Sequence, residues 1–294
     1  MIKKILSLLL ISAMVFSASS CKRKKQTTEA VGSDKKVVYT SFYAMYDFTR
    51  TIARDTNVEI INLVPEGVEP HEWEPTASDI KDISKADGLI VNGNGMEGWT
   101  DKISEAADGI KMLEASEYIM TINDTGDVDP HVWLSPQNAS MQMRAISEFL
   151  SEIDSEYAGN FKSNYEEAAK NINNLDDDFK RMIIDSSKKD IIVTHGAYAY
   201  LCNVYGINQT AIEGVSGESD PSPEQLASAV RFAQANDIKY VFYTNGESDK
   251  TANAFAKEIE GQALILNSFE FDSDNRDYVT VMRENLENLR LALA

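Results

Sequence analysis

The apolar residues of this chain follow two periods in alternation, and the alternation breaks once. Short runs rich in β-branched residues (Lys36 to Thr40, Val58 to Val64, Gly88 to Val91, Ile110 to Leu113) read as strands. Between and after them, Tyr43 to Arg54, Asp79 to Ala86 and Glu97 to Ala107 carry helical spacing, the second capped by Thr76 or Ser78. Strands separated by helices of this length can only run parallel, each helix crossing back over the sheet. From Gln137 to Ile184 no strand is legible. One helix is predicted over Gln137 to Ile153. A second, over Tyr157 to Ile184, places Phe161, Tyr165, Ala168, Ile172, Leu175, Phe179 and Ile183 on one face. At 1.5 Å per residue it would be about 40 Å long. The alternation then restarts: strands at Ile191 to Thr194, Gln209 to Ile212, Tyr240 to Tyr243 and Leu264 to Asn267, and helices at Ala197 to Tyr205, Glu224 to Asn236, Thr251 to Glu260 and Tyr278 to Leu293. The expected fold is α/β. Two lobes, each a mostly parallel sheet flanked by helices, are joined by one long helix. The expected boundaries are 36–156 for the N-terminal lobe, 157–186 for the linking helix and 187–294 for the C-terminal lobe. The lobes also begin alike, Val37 to Ala44 against Ile191 to Tyr198, which suggests a weak internal repeat.

The first 35 residues stand outside this pattern. Lys3 and Lys4 precede an apolar run, Ile5 to Phe16, and then small residues lead to Cys21. Residues 1–20 read as a secretory signal peptide, whose apolar run is too short to span a bilayer. Cys21 directly after the small residues looks like the lipid-modified cysteine of a bacterial lipoprotein, although Ala18 stands where a larger aliphatic residue is usual. Residues 21–35, with Lys22 to Lys25, read as a tether that adds attraction to anionic headgroups. The protein is therefore expected outside the cytoplasm, anchored to the bacterial membrane through Cys21. Cys202 is left alone in the folded part, on an apolar helix, and is expected to be a core residue. Lysine and arginine total 28 against 47 acidic residues, a net charge of −19, which argues against nucleic-acid binding.

Histidine is scarce, and its placement is not random. The chain has 3 histidines. His71 lies in Pro70-His71-Glu72-Trp73-Glu74-Pro75, and His131 in Asp129-Pro130-His131-Val132-Trp133-Leu134-Ser135-Pro136. Prolines stiffen the backbone on both sides of each, and Ser135-Pro136 starts a helix. His195 ends an apolar strand. In open α/β sheets ligands bind beyond the carboxyl ends of strands, so one site in the cleft between lobes would gather all three. Neutral imidazoles suit Zn²⁺, Cu²⁺, Ni²⁺ or Fe²⁺. A carboxylate from the second lobe should be the fourth ligand: Glu270 first, then Asp272, then Glu247, with water as a further alternative. Trp73 and Trp133 are expected to pack, or to hold the imidazoles. Glu72, Glu74 and Asp129 could accept the second ring N–H. A metalloprotease motif fails, because Pro75 occupies the position of its second histidine. No Gly-x-Ser-x-Gly elbow and no phosphate-binding loop occurs.

These residues resemble the solute-binding lipoproteins of zinc/manganese ABC transporters, the class with a rigid helical backbone between lobes. The resemblance runs in order over residues 36–294. It rests on Gly67 to Thr76, Ala86 to Gly93 with Glu97 and Trp99, and Asp129 to Leu134. Thr194 to Tyr198 with Tyr200 and Leu201, Pro221 to Pro223, and Tyr278 with Asn285 and Leu286 complete it. It implies His71, His131, His195 and Glu270 as metal ligands. Histidine rather than glutamate at position 195 favours Zn²⁺ over Mn²⁺. Ala77 and Ser135 depart from a common proline and aspartate, Thr244 from a common glutamate, and Asn123 to Val128 replaces a long His-rich loop. The implied function is high-affinity capture of Zn²⁺ for a membrane permease, by a monomer that is not an enzyme. A Mn²⁺-selective protein of the same family, a surface adhesin on the same fold and a zinc hydrolase are the alternatives.

Overall fold

A computed structural model describes residues 35–107, 109–124, 127–214, 222–246, 248–271 and 274–294. The signal peptide, Cys21 and its tether, Asp272 and Glu247 lie outside the described residues. Among the described residues the order is β1 (Lys36–Thr40), α1 (Tyr43–Ile52), β2 (Val58–Asn62), α2 (Ala77–Ile83), β3 (Gly88–Val91), α3 (Thr100–Ala106) and β4 (Met112–Glu114). A small hairpin follows, β5 (Asn123–Asp124) and β6 (Asp127–Val128). Then come α4 (Pro136–Ile153), α5 (Ala158–Asp185), β7 (Asp190–Val193), α6 (Ala199–Tyr205) and β8 (Asn208–Ala211). The chain closes with α7 (Pro223–Ala235), β9 (Tyr240–Tyr243), α8 (Lys250–Glu258), β10 (Gln262–Ile265) and α9 (Tyr278–Ala292).

The strands form two four-stranded sheets, β2-β1-β3-β4 and β10-β9-β7-β8, and every pairing in both is parallel. Counted by appearance, each sheet has the order second, first, third, fourth. The weak likeness of the two lobe starts thus reflects a shared topology. In both sheets the winding reverses between the first and third strands, which opens a crevice at their carboxyl ends. His195 follows β7, the first strand of its sheet, at that crevice.

Side-chain alternation along the strands divides the core. Val38, Ile90, Ile191, Val193 and Phe242 face inward and share one continuous apolar core with α1, α4, α5, α6 and α9. Leu89 and Val91 face outward onto Ile83, Trp99 and Ile103. Ile192 and Val241 do the same in the second sheet, against Ala233, Ala252 and Phe255. Strands covered on both faces read as continuous apolar runs. Helix α5 buries Phe161, Ala168, Ile172, Leu175, Phe179 and Met182, while the expected Tyr165 and Ile183 are only half-buried against the same core. Its packing on α1, α4 and α9 ties both sheets to one backbone helix.

The helix starts follow local chemistry. Ser135 and Ser222 each cap a helix whose next residue is proline, and Thr76 forms a capping box with Asp79. Gly206 ends α6 in the left-handed region, φ 66°. Most boundaries shift by one to three residues, and three of the shifts have a visible cause. Helix α3 begins at Thr100 rather than Glu97, because the Glu97 carboxylate is held by the backbone N–H groups of Asn92 and Gly93 (2.8 and 2.9 Å). Strand β4 runs Met112–Glu114, pairing with Leu89 to Val91, rather than Ile110 to Leu113. Strand β10 ends at Ile265 rather than Asn267, whose N–H is taken by Asn285 Oδ1 (2.7 Å). The hairpin β5–β6 was expected as loop; strands of two residues are too short to show a period. No helix of the described residues is long and apolar enough to cross a membrane.

Candidate metal centre

Four side chains from four loops meet at one point. His71 comes from the loop after β2, His131 from the turn after β6, His195 from the end of β7 and Glu270 from the loop after β10. His131 Nε2 lies 3.2 Å from His71 Nε2, 3.1 Å from His195 Nε2 and 3.3 Å from Glu270 Oε1. Glu270 Oε1 is 3.4 Å from His71 Nε2 and 3.9 Å from His195 Nε2. All four ligand atoms fall within 4.8 Å of one another. A zinc ion with bonds near 2.0–2.1 Å in a tetrahedron separates its ligand atoms by about 3.3 to 3.4 Å. The separations of 3.1 to 3.4 Å around His131 and between His71 and Glu270 match that spacing, and the 3.9 Å between His195 and Glu270 is wider. Side-chain exposure is 9% at His71 and no more than 3% at the other three, so the point is closed to solvent. Glu270 Oε1 is buried with no donor aligned to it.

Two of the four, His131 and Glu270, are held by identifiable contacts. Asn92, just past β3, donates from Nδ2 to Pro130 O (2.9 Å), docking the His131 turn on the end of the first sheet. Gln142 Nε2 fixes the Asn92 amide by donating to its Oδ1 (2.8 Å). Asp129 Oδ1 accepts both the backbone N–H of His131 (2.9 Å) and its ring Nδ1–H (2.8 Å), which turns Nε2 toward the centre. From the second lobe, Tyr200 OH donates to Asp129 O (2.9 Å) and accepts from Ile122 N–H (2.9 Å). The Glu270 loop is likewise clasped from the first lobe. Trp133 Nε1–H donates to Ser268 O (2.7 Å), and Tyr43 N–H to Glu270 O (3.3 Å). Phe269 adopts φ 60° and is wedged against Tyr43, Phe48 and Tyr278. A left-handed aromatic residue is unusual, and here the packing enforces it.

A family model described as "Zinc-uptake complex component A periplasmic" (ZnuA) matches residues 38–292. The chain belongs to this family. It is 31% identical over 317 residues to the high-affinity zinc uptake system protein ZnuA of Bacillus subtilis, covering 100% of this chain and 99% of that one. The zinc-binding lipoprotein AdcA of Streptococcus pneumoniae is 30% identical over 98% of this chain, which spans 60% of AdcA's length. The crystal structure of its Zn(II)-bound ZnuA-like domain superposes with a TM-score of 0.79 at 30% identity, over 88% of this chain and 99% of that domain. A second similar structure is the laminin-binding protein Lmb of Streptococcus agalactiae, described as bifunctional, with adhesin and metal transporting activity. It gives a TM-score of 0.83 at 26% identity, over 89% of this chain and 100% of that one. The two-lobe fold of parallel sheets is that of the family, which is a periplasmic component of metal uptake and not an enzyme family.

The charges in this zinc-uptake component's cluster are strongly coupled. Burial works against a charge on His131, but its contacts with Asp129 and Glu270 outweigh burial and carry its pKa up to about 9. Burial would also raise Glu270, yet His131 and His71 hold its carboxyl well below the usual range. His195 is driven down to about 4, chiefly by burial, and stays neutral. The sequence reading missed Glu69. It is half-buried, its Oε1 accepts the backbone N–H of His71 (3.3 Å), and burial with the nearby Glu270 pushes it up to about 7. The signal was available, since Glu69-Pro70-His71 repeats the acid-proline-histidine order of Asp129-Pro130-His131. The roles of Ser268 and Tyr200 left no such mark. Trp133 both packs and positions, while Trp73 packs edge-on against Trp99 (5.4 Å). Glu74 pairs with Lys102 on the surface, and Glu72 is exposed. Cys202 is buried and free, and burial pushes its thiol up to about 12, as a core residue requires.

Proposed function

We propose that this chain captures Zn²⁺ outside the cytoplasm as cargo and hands it to the permease of an ABC importer. Its ligands are His71, His131, His195 and Glu270. The observation that carries the reading is the convergence of three imidazole nitrogens and one carboxylate oxygen within 4.8 Å of one another in a closed pocket. The zinc named in the printed descriptions of the relatives agrees with it. Zinc sites that perform catalysis keep one position open for water; Glu270 fills that position, so the protein binds and releases and does not catalyse. Mn²⁺ is disfavoured, because it stands at the weak end of the affinity order for nitrogen ligands and prefers octahedral oxygen.

In this reading residues 36–156 and 187–294 are the lobes, residues 157–186 the rigid connection, and release comes from local loop and lobe shifts. The protein acts as a monomer, anchored through a lipid on Cys21 after removal of residues 1–20. The AdcA relative is named a lipoprotein. An adhesin role is the second reading, favoured by the description of Lmb. Metal analysis of protein purified without added metal, followed by competition between Zn²⁺ and Mn²⁺, tests the first reading. Native manganese or equal affinities would overturn it. Laminin binding unaffected by chelation would support the second.

A further inference from the structure

Glu270 has two oxygens, and only one of them faces the three histidines. Ser268 Oγ–H donates to the other, Oε2, at 2.5 Å, and both residues are fully buried. A serine hydroxyl has a single proton to give, so its direction here is set by what else it touches. Thr244 Oγ1 lies 2.8 Å from Ser268 Oγ and also accepts the backbone N–H of Ser268 at 3.0 Å. Because the one Ser268 hydroxyl proton goes to Glu270, the 2.8 Å contact is Thr244 donating to Ser268 Oγ; the other acceptor near Thr244 Oγ1, Asn245 Oδ1, is farther away at 3.5 Å. The protons therefore run one way, from Thr244 to Ser268 to Glu270 Oε2. The Ser268 backbone is held in place, its carbonyl by Trp133 Nε1–H (2.7 Å) and the next residue by the packing of Phe269 at φ 60°.

We propose that Ser268, set by Thr244, is the positioning residue that fixes the coordination number of this site. By occupying Oε2 it limits Glu270 to one metal bond. This inference rests on the assignment of the four ligands above. A carboxylate can bind a metal through one oxygen or through both. Three imidazoles and one oxygen make the four-coordinate shell that Zn²⁺ adopts. Three imidazoles and two oxygens make five, a step toward the higher, oxygen-rich coordination of Mn²⁺. The hydroxyl chain thus contributes to metal choice without touching the metal. If the hydroxyl is removed, Oε2 is buried with no donor, and its nearest available partner is the ion itself.

Co²⁺ provides the readout, because its visible absorption is intense in a tetrahedral site and weak at higher coordination. In Ser268→Ala the Co²⁺ band should weaken several-fold, and the ratio of Zn²⁺ to Mn²⁺ affinity should fall by about tenfold, the lower end of what losing a ligand's hydrogen-bond partner does. Ser268→Thr, which keeps the hydroxyl, should restore both. If Ser268→Ala does not fold, Thr244→Val serves in its place, with a smaller shift in the same direction. An unchanged band and ratio in Ser268→Ala, or Ser268→Thr as altered as Ser268→Ala, would overturn the proposal. Wild-type protein that takes up neither Co²⁺ nor Zn²⁺ would overturn the ligand assignment along with it. A wild-type band of tetrahedral strength keeps that assignment while the Ser268 variants decide the rest.

Discussion

Two turns of this protein have the same three-residue plan and different mechanics. Asp129-Pro130-His131 and Glu69-Pro70-His71 both place a carboxylate two residues before a histidine, with proline stiffening the step between. In both, the carboxylate accepts the backbone N–H of the histidine, at 2.9 Å for Asp129 and 3.3 Å for Glu69. Only Asp129 also bonds the imidazole, through Nδ1–H at 2.8 Å. The Asp129 turn is fully buried, pinned by Asn92 and Tyr200, whereas Glu69 is half-buried and His71 keeps some exposure. His131 Nε2 also has all three other ligand atoms within 3.1 to 3.3 Å. One extra methylene and a more open setting separate a pinned hub, His131, from a more exposed arm, His71.

The largest expected effect follows from the hub. His131→Ala should weaken Zn²⁺ binding by well over about 100-fold, beyond the range for losing a ligand's supporting partner. His71→Ala should cost less, in the same chelator-competition titration. Equal losses would erase the distinction between hub and arm. Next comes the support of the hub. Asp129→Asn should cost about 10- to 100-fold in Zn²⁺ affinity.

The same variant should change the pH response. His131, raised to about 9, must lose a proton before Nε2 can bind a metal. Zn²⁺ affinity of the wild type should therefore keep rising until the pH passes about 9, not level off near the ordinary histidine value of about 6.5. In the metal-free protein the sign is opposite. A histidine whose folded pKa is raised stabilises the fold fully below its unfolded value of about 6.5, and that contribution is lost as pH rises through about 9. Asp129→Asn should move the affinity profile toward lower pH and flatten the fall in melting temperature over that interval. Profiles that superpose on the wild type would show that Asp129 does not hold the ring.

The smallest effect belongs to the other turn. Glu69, pushed up to about 7, is neutral part of the time near neutral pH, and glutamine is close in shape to the neutral acid. Glu69→Gln should change Zn²⁺ affinity by less than about fivefold, the scale of a weak, partly solvated charge contact. An effect as large as that of Asp129→Asn would mean that both turns are locks.

Much of this arrangement was legible before any coordinates. The strand and helix periods are local properties, so the α/β class, the two sheets and the long helix followed from spacing. Ser135-Pro136 and Ser222-Pro223 announced their helices because capping depends on neighbouring residues only. The three histidines stood out because there are no others to confuse them with. Boundaries failed where a side chain took backbone N–H groups out of the regular pattern. Glu97 turns back to Asn92 and Gly93 and delays α3, and Asn285 takes Asn267 out of β10.

The sequence by itself determined which elements form, which residues could bind a metal, and that His71, His131 and His195 belong to strand ends and rigid loops. Periodicity, capping and residue scarcity are all readable over a few neighbours. Only the tertiary structure decided that these three and Glu270 converge within one ion's reach, that His131 is the hub, and that Ser268 holds the second oxygen of Glu270. Those facts depend on contacts between residues tens to hundreds of positions apart, such as Trp133 with Ser268 and Tyr200 with Asp129. Such contacts are set by how two sheets pack on a shared core, and no local pattern in the chain encodes them.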